Sequence, residues 1–409
     1  MNVNIIRMHE RIVALSKIGM TQEGGSRRIA LTDADKAGRE LLISWMKQSK
    51  LEVQIDQVGN IFATLKGKSS GQPIMMGSHI DTVGNGGHLD GCLGVIAALE
   101  CVTAFVDSDV LPNHDLCVGI FTNEEGVRFV PDMLGSLVYA GGMDMEDAYN
   151  IVSTDGVTFK EELIRTGYLG DMKCGSRVPH AFLELHIEQG PILENKNILI
   201  GAVDGVQGIS WTNVIFTGQS NHAGTTPMDM RHDAGYAAAR LIVALREITA
   251  KIGAGQVATV GVIKPAPNLI NVVPGKVSMT VDLRNSNEEK LKAAEALFTE
   301  QLEKICLEEG VVVSTEKLAR FEPVVFDERL CDLISKTATA LGYSNMHMTS
   351  GAGHDAQMMA RICPTAMIFV PSRSGISHNP KEFTESVQLN IGAELLFETL
   401  LKIDQGYLD

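Results

Sequence analysis

Residues 73–99, PIMMGSHIDTVGNGGHLDGCLGVIAAL, predict a strand, a glycine-rich loop and a helix in succession. The apolar run at the start predicts a buried strand that ends at His79, and Asp90 stands where the helix begins. Further along, the apolar run LCVGIFT predicts a second buried strand that leads to Glu124 and Glu125. Strands that alternate with helices in this way indicate an α/β fold with a mixed, mostly parallel sheet between helices.

The polar residues near these strand ends are of the types that bind transition metals. Imidazoles combined with carboxylates suit zinc, manganese, cobalt or nickel, whereas calcium and magnesium sites are built almost wholly from oxygen. Open α/β sheets place their sites at the carboxyl ends of the strands, so the position agrees with the chemistry. The candidate residues, from GSHIDTV, GGHLDG, TNEEGV, LELHIEQG and GISHNP, are His79, Asp90, Glu124, Glu125, His186 and His378. The strand AFLELHIE, which carries one of the histidines, is expected to be partly buried.

A second domain is predicted inside the first. From about residue 209 the pattern becomes strand, helix, two strands, helix and strand, in segments such as ISWTNVIFTG, HDAGYAAARLIVALREITAKI, VATVGVI, KVSMTVDLR and VVVSTEKLA. This βαββαβ order predicts a ferredoxin-like α+β domain. Because strand PTAMIFVP and a final amphipathic helix follow it, we predict a catalytic domain of residues 1–208 and 323–409 with an inserted domain of residues 209–322.

Composition excludes several classes of partner. The net charge of −15 would repel nucleic acid and anionic membrane surfaces, and no run of Lys and Arg interleaved with aromatic residues is present. The N-terminal segment lacks the apolar core and cleavage site of a signal peptide, and no apolar run reaches the length of a membrane span. The seven cysteines show no CxxC spacing, which favours a location in the reducing cytoplasm. An anionic substrate would need a local cationic group, such as an arginine in a cleft.

The residue types suit two-metal hydrolysis. Two divalent ions about 3.5 to 4 Å apart share a bridging carboxylate, for which Asp90 is the candidate, and a water whose pKa falls toward about 7. Glu124 stands beside a ligand without being needed as one, so it suits the role of general base and acid. This role requires the chain to turn between Glu124 and Glu125. Asp81 is predicted to accept a hydrogen bond from His79 and to fix its tautomer.

Each residue also has a structural interpretation. A single histidine is more often a satisfied polar or surface residue than a ligand, and a glutamate pair before glycine is usually a solvated strand end or a helix start. His222, in SNHAGTTP, is consistent with a turn, and Arg284 with a strand-end ion pair to Asp282. Gly351 and Gly353 are consistent with a simple turn. The metal interpretation is favoured because all the metal candidates fall at predicted strand ends or turns of one sheet.

Seven motifs extend the pattern over nearly the whole chain: GSHIDTVGNGGHLDG, TNEEGVRF, ELHIEQG, SNHAGTTPM, NVVPG, SGAGHDAQ and ISHNP. Together they resemble the M20 metallopeptidase superfamily and, within it, the hydantoinase/carbamoylase amidases. The resemblance implies two divalent metal ions per subunit (Zn, Mn, Co or Ni), with Asp90 bridging them. It implies that His79 and His186 complete one site and that Glu125 and His378 complete the other.

For the substrate, the resemblance implies a small carbamoyl or ureido compound with a carboxylate. The inserted domain would act as a lid and as the surface of a homodimer, and His222 would reach the partner's active site to steady the developing oxyanion. Asn271 and Arg284 would hold the substrate carboxylate, the arginine through its planar guanidinium fork. The residues whose motifs would line the pocket are Gln189, Gly353 and His354.

The resemblance also narrows the reaction. Peptidases of the superfamily usually present an acidic residue at the position of His186, so histidine favours amide or ureido cleavage. We expect hydrolysis of the carbamoyl C–N bond of an N-carbamoyl-L-amino acid to the amino acid, ammonia and carbon dioxide. The alternatives are an allantoate amidohydrolase, a ureidoglycolate amidohydrolase, a β-ureidopropionase, or a metal-binding homologue without catalysis. Ile209, Ser210 and Trp211 stand where we associate the allantoate subgroup with a polar, basic pair, and they favour an amino-acid side chain.

Overall fold

The computed structural model describes residues 1–69, 71–253 and 255–409. Its helices are α1 (Ile5–Ser16), α2 (Asp33–Gln48), α3 (Cys92–Asp107), α4 (Leu134–Tyr139), α5 (Met145–Tyr149), α6 (Phe159–Thr166), α7 (Ile192–Lys196), α8 (Ala234–Ile252), α9 (Glu288–Glu309), α10 (Glu328–Ala340), α11 (Asp355–Met359) and α12 (Ser386–Asp404). Its strands are β1 (Glu52–Ile55), β2 (Ile61–Leu65), β3 (Ile74–His79), β4 (Leu116–Phe121), β5 (Ala181–Ile187), β6 (Ile200–Val206), β7 (Gly208–Thr217), β8 (Asn221–His222), β9 (Val257–Thr259), β10 (Ile263–Ala266), β11 (Val272–Val273), β12 (Lys276–Asn285), β13 (Val312–Phe321), β14 (Val324–Val325), β15 (Asn345–Ser350) and β16 (Thr365–Val370). None of the helices in the described ranges is long and apolar enough to cross a lipid bilayer.

The chain divides into two compact units. The larger unit comprises Met1–Gly205 and Val325–Asp409, and the smaller comprises Val206–Val324. In the larger sheet, four neighbouring strands, β4, β3, β5 and β16, are parallel. Strands β2 and β6 flank this centre in antiparallel pairing, and β1, β14 and β15 extend the flanks. The predicted α/β class with a mixed sheet is confirmed.

Burial explains why the central strands are almost continuously apolar. Every residue of β3, β4, β5 and β16 is buried, as expected for parallel strands whose two faces are both covered. Helix α3 contacts β3, β4 and β5 and also contacts α1 and α12, so nearly all of its residues are buried and it is apolar on every side. The expected partial burial of the strand around His186 is wrong, because β5 lies at the centre of the sheet.

The smaller unit has its own sheet, with strand order β10-β12-β7-β13 and β9 also pairing with β12. These pairs are antiparallel, and α8 and α9 pack on the sheet around a separate hydrophobic core. Apart from the short pair β8 and β11, which forms a two-stranded sheet of its own, the order of elements follows the predicted βαββαβ. One predicted strand, VATVGVI, is divided: β9 and β10 pair with different parts of β12, and Gly261 lies in the interruption.

Candidate metal centre and active site

The candidate ligands of the larger unit meet at one edge of its sheet. Strand β3 ends at His79, β5 carries His186 next to its last residue, and β4 ends shortly before Glu124. Because these strands are parallel, their carboxyl ends lie along the same edge. Asp90 stands just before α3, and His378 follows the parallel strand β16. Distant segments therefore bring imidazoles and carboxylates together.

The donor atoms form two groups of three that share Asp90. Asp90 Oδ1 lies 3.5 Å from His79 Nε2 and 3.2 Å from His186 Nε2. Asp90 Oδ2 lies 3.3 Å from His378 Nε2, which is 3.4 Å from Glu125 Oε2. Tetrahedral metal–ligand bonds of about 2.0 to 2.1 Å separate neighbouring donors by about 3.3 Å. The spacing therefore fits two ions, one in each group, with Asp90 between them.

The charge of the pocket leads to the same conclusion. Burial, followed by repulsion from Asp90, raises the pKa of Glu125 to about 8. Burial also raises the pKa of Glu124 well above its ordinary value. The hydrogen bond to Asp90 is the main reason that the pKa of His378 rises to about 9. These groups retain protons because the pocket holds more carboxylates than it can keep ionised without cations. Two divalent ions would supply the missing positive charge, so the residues present fit a metal pair.

The two buried histidines are oriented by backbone carbonyls. Nδ1 of His79 donates to the carbonyl oxygen of Asp81 at 2.9 Å, and Nδ1 of His186 donates to that of Ile187 at 2.9 Å. A carbonyl can only accept, so each Nδ1 carries a hydrogen, and Nε2 is the nitrogen of each ring that faces Asp90 and is left to bind an ion.

Asp81 contacts His79 through its backbone carbonyl oxygen rather than through its carboxylate. We predicted a contact from its carboxylate to His79, but Asp81 Oδ1 lies 3.9 Å from Nδ1 of that ring. The carboxylate instead accepts the backbone N–H groups of Glu124 and Glu125, at 3.2 Å each. The chain bends after β3 so that the carbonyl faces the ring and the side chain faces the neighbouring loop. Asp81 thus couples His79 to the glutamate pair.

A sharp turn carries the two glutamates. Asn123 before the pair and Gly126 after it both have left-handed backbone, with φ of 59° and 65°. The turn directs Glu125 toward His378, whereas Glu124 Oε2 lies 3.4 Å from Nε2 of His79. Both carboxylates therefore face the same cluster, although consecutive residues of a regular strand would point to opposite sides.

Sequence reasoning missed Glu382, a buried carboxylate that joins two ligand loops. Its Oε1 accepts the backbone N–H groups of Leu89 and Asp90, at 3.0 and 3.2 Å. Its Oε2 accepts the hydroxyl of Ser377 at 2.9 Å, next to His378 in the chain. The only signal in the sequence is its place four residues beyond His378 in HNPKEF, just after the motif ISHNP.

Two further buried carboxylates behind the ligands were also missed. Glu184 accepts the hydroxyl of Ser78 at 2.5 Å and the N–H of Ala356 at 2.9 Å, and Asp355 accepts the hydroxyl of Ser136 at 2.6 Å. Alternation along β5 could have revealed Glu184, because a residue two positions before His186 points to the same face.

The residues predicted to line the pocket adjoin the cluster. Gln189 Nε2 donates to Asp90 Oδ2 at 2.8 Å. His354 is buried, its ring packs edge-on against that of His186 with centroids 4.6 Å apart, and its Nε2 lies 2.9 Å from the Ser350 hydroxyl. Burial lowers the pKa of His354 well below its ordinary value, so the ring is neutral at pH 7. A Cβ on Gly353 would lie 3.0 Å from a methionine side chain, so little room is left there.

Three predicted residues belong to the smaller unit. His222 on β8 stands opposite Val272 on β11, and Ala223 next to it donates to the carbonyl of Asn271 at 2.9 Å, so the structure brings His222 and Asn271 together. Nδ1 of the exposed His222 ring accepts the N–H groups of Gly224 and Thr225, at 3.0 and 3.2 Å. In the neutral ring, Nε2 therefore carries the hydrogen.

Arg284 forms a strand-end ion pair with Asp282. Its Nε and Nη2 donate to the carboxylate of Asp282, at 3.1 and 3.0 Å, and its guanidinium carbon lies 5.9 Å from the centre of the Trp211 ring. A role toward a substrate carboxylate stays a prediction for Arg284, as do the roles of His222 and Asn271.

Comparison with known proteins identifies the family. The model of Peptidase family M20/M25/M40 matches residues 75–402. The chain belongs to this family. It is 42% identical to the N-carbamoyl-L-amino-acid amidohydrolase of Rhizobium meliloti, over 98% of this chain and 96% of that protein. It is 36% identical to the allantoate amidohydrolase of Bacillus subtilis, over 95% of each chain. The crystal structure of a hydantoinase/carbamoylase family amidase from Burkholderia multivorans superposes with a TM-score of 0.95, at 39% identity and 98% coverage of both chains. The M20 membership predicted from the motifs is confirmed.

Proposed function

We propose that this M20 family member is an amidohydrolase that cleaves the carbamoyl C–N bond of N-carbamoyl-L-amino acids. The products are the amino acid, ammonia and carbon dioxide. The observation that carries the proposal is the pair of ligand groups that share Asp90, with the uncommitted carboxylate of Glu124 beside them. The strong similarity to an N-carbamoyl-L-amino-acid amidohydrolase supports the same substrate class.

Two divalent ions, each zinc, manganese, cobalt or nickel, would occupy the two groups. His79, Asp90 and His186 would hold one ion, and Asp90, Glu125 and His378 would hold the other. When bound, the ions supply Lewis acidity that polarises the substrate carbonyl and lowers the pKa of water.

Glu124 would move the proton. Its carboxylate lies 3.4 Å from the candidate ligand His79, so it is placed to take a proton from the attacking water and then release it. The water oxygen joins the ureido carbon, the C–N bond breaks, and Glu124 delivers the proton to the leaving nitrogen. The carbamic acid that remains holds the second hydrogen of the water, passes it to the remaining nitrogen as carbon dioxide is lost, and so leaves the second nitrogen as a free amine.

We further propose that the smaller unit, predicted as residues 209–322, serves as lid and dimer surface. His222 supports this, because its exposed ring presents an Nε2–H that can donate to an oxyanion in a partner subunit. Arg284 with Asn271 would anchor the substrate carboxylate. The seven cysteines are free thiols, which supports a cytoplasmic location.

Allantoate is the alternative substrate, since relatives with that activity are also similar to this chain. Trp211 argues for an apolar amino-acid side chain, because its exposed indole lies beside Arg284 and presents an apolar surface next to the predicted carboxylate anchor. A second ureido arm would need polar partners instead. A homologue without catalysis is disfavoured by the intact Glu124.

The substrate is tested by ammonia release. Chelator-treated protein is reloaded with each of the four metals and supplied in parallel with allantoate and several N-carbamoyl-L-amino acids. We expect preferential turnover of a carbamoyl amino acid. Preferential turnover of allantoate would select the alternative, and no turnover of any ureido substrate would reject the proposed reaction.

The residue roles are tested by variants. Glu124→Gln is expected to abolish turnover while metal content and oligomeric state stay unchanged, whereas the exposed control Glu52→Gln keeps full activity. Coexpression of Glu124→Gln with His222→Ala should restore activity that neither variant has alone, because one site of the mixed dimer is complete. Absence of restored activity in a verified mixed dimer would show that His222 does not act across subunits.

A further inference from the structure

A second histidine cluster lies at the opposite edge of the larger sheet. His114 stands two residues before β4, and His180 immediately precedes β5, so both lie at the amino ends of their strands. Their rings are stacked, with centroids 5.0 Å apart and planes inclined by 19°. Asp409 Oδ1 lies 3.6 Å from Nε2 of His180. One donor atom from each of the three residues lies within 4.8 Å of the other two.

One donor atom of the cluster is unsatisfied within the described part of the chain. Nε2 of His180 is buried and has no hydrogen-bond partner among the described residues. A buried polar atom of this kind is costly unless something outside the chain satisfies it. Its distance from Asp409 is too long for a hydrogen bond and close to the separation of about 3.3 Å between neighbouring ligands of a tetrahedral ion.

Asp404 holds His114 in the orientation that a ligand needs. The Asp404 carboxylate accepts the backbone N–H groups of Asn113 and His114, at 3.0 and 2.8 Å. Its Oδ1 also lies 3.3 Å from Nδ1 of His114, which leaves Nε2 as the ligand atom. A carboxylate behind a metal-binding histidine is a common arrangement, because it fixes the tautomer and raises the basicity of the ligand.

We propose that His114, His180 and Asp409 form a binding site for a divalent transition ion, distinct from the catalytic pair. Two imidazoles and a carboxylate suit zinc, and also nickel or copper, with water in the remaining position because Asp409 is largely exposed. The ion would join the segments before β4 and β5 to the segment after α12. This ion would have a structural role that is separate from the proposed hydrolysis.

The test counts zinc in the full-length protein. Chelator-treated protein is reloaded with zinc, desalted and analysed for metal by mass spectrometry. Asp409→Asn and His180→Gln are expected to retain one equivalent per chain fewer than the unaltered protein. The matched control is His347→Gln, which alters an exposed histidine that faces a single aspartate, Asp332, at 4.0 Å. Asp409→Asn changes an exposed side chain, so it is expected to keep the fold and the hydrolytic activity.

Hydrogen exchange provides the second measurement. Zinc should slow backbone exchange in residues 404–409 of the unaltered protein and of a His79→Ala variant, but not of Asp409→Asn. The His79→Ala background separates this site from the catalytic pair, so the outcome does not depend on whether the proposed reaction is right. Equal zinc content in Asp409→Asn, His180→Gln and unaltered protein, or exchange at 404–409 that zinc leaves unchanged, would overturn the proposal.

Discussion

Replacement of Glu382 by alanine is expected to weaken metal binding although Glu382 is in neither group of candidate ligands. Its carboxylate accepts hydrogen bonds from the backbone of Leu89 and Asp90 and from the hydroxyl of Ser377. Truncation would leave the buried N–H groups of Leu89 and Asp90 without their partner and free the loop that carries Asp90. Asp90 belongs to both groups of candidate ligands, so an ion in either group should bind more weakly.

The magnitude follows from the hydrogen bonds. A bond to a charged group contributes about 1.5 to 3 kcal/mol. Part of this is offset here, because burial and repulsion from Asp90 raise the pKa of Glu382 and make its charge costly. A net loss of about 1.4 to 2.8 kcal/mol corresponds to about 10- to 100-fold weaker binding, the range typical of residues that support metal ligands. Glu382→Gln keeps an acceptor for the N–H groups and should lose less than about tenfold.

The assay is competition for zinc against a chromogenic chelator at fixed pH. Asp327→Ala is the matched control, because Asp327 also accepts two backbone N–H groups, from Arg329 and Leu330, at the start of α10. It should lower the free energy of unfolding but leave zinc affinity unchanged. If Glu382→Ala binds zinc as tightly as the unaltered protein, Glu382 does not position Asp90.

The remaining predictions concern the ligands and the substrate anchor. Gly91→Ala should disrupt zinc binding in the same assay, because Gly91 has a φ of 63° and a Cβ at this position would lie 2.5 Å from Nε2 of His79. Zinc affinity equal to that of the unaltered protein would contradict this prediction. Zinc affinity should rise with pH up to about pH 9, by up to about tenfold per unit for each proton displaced, because the pKa of His378 is about 9 without metal and the proton competes below it. A flat profile from pH 6 to 9 would refute this. Arg284→Ala should raise KM by about tenfold to hundredfold with little change in kcat. The control Arg240→Ala, which breaks ion pairs within the same unit, should leave KM unchanged. An unaltered KM in Arg284→Ala would show that Arg284 does not bind the substrate carboxylate.

Local sequence patterns were sufficient to predict the strands that carry the candidate site. Apolar runs identified β3, β4 and β16, because strands buried on both faces must be apolar almost throughout. Strand β5 was also predicted, but its polar residues at alternate positions led to the wrong expectation of partial burial. Parallel strands place their carboxyl ends along one edge, so His79 and Glu124 could be expected there. The βαββαβ order of the smaller unit was readable in the same way, from the change between twofold and 3.6-fold periodicity.

The atoms that orient the ligands became visible only in three dimensions. Asp81 faces His79 with its carbonyl rather than its carboxylate, and Glu382 ties together loops that are far apart in the chain. The cluster of His114, His180 and Asp409 likewise joins three distant segments. Such contacts depend on strand order and on the backbone angles of loops, whereas composition and periodicity describe only which face of an element is buried. Residue types therefore indicated the chemistry, and tertiary packing decided which atoms meet.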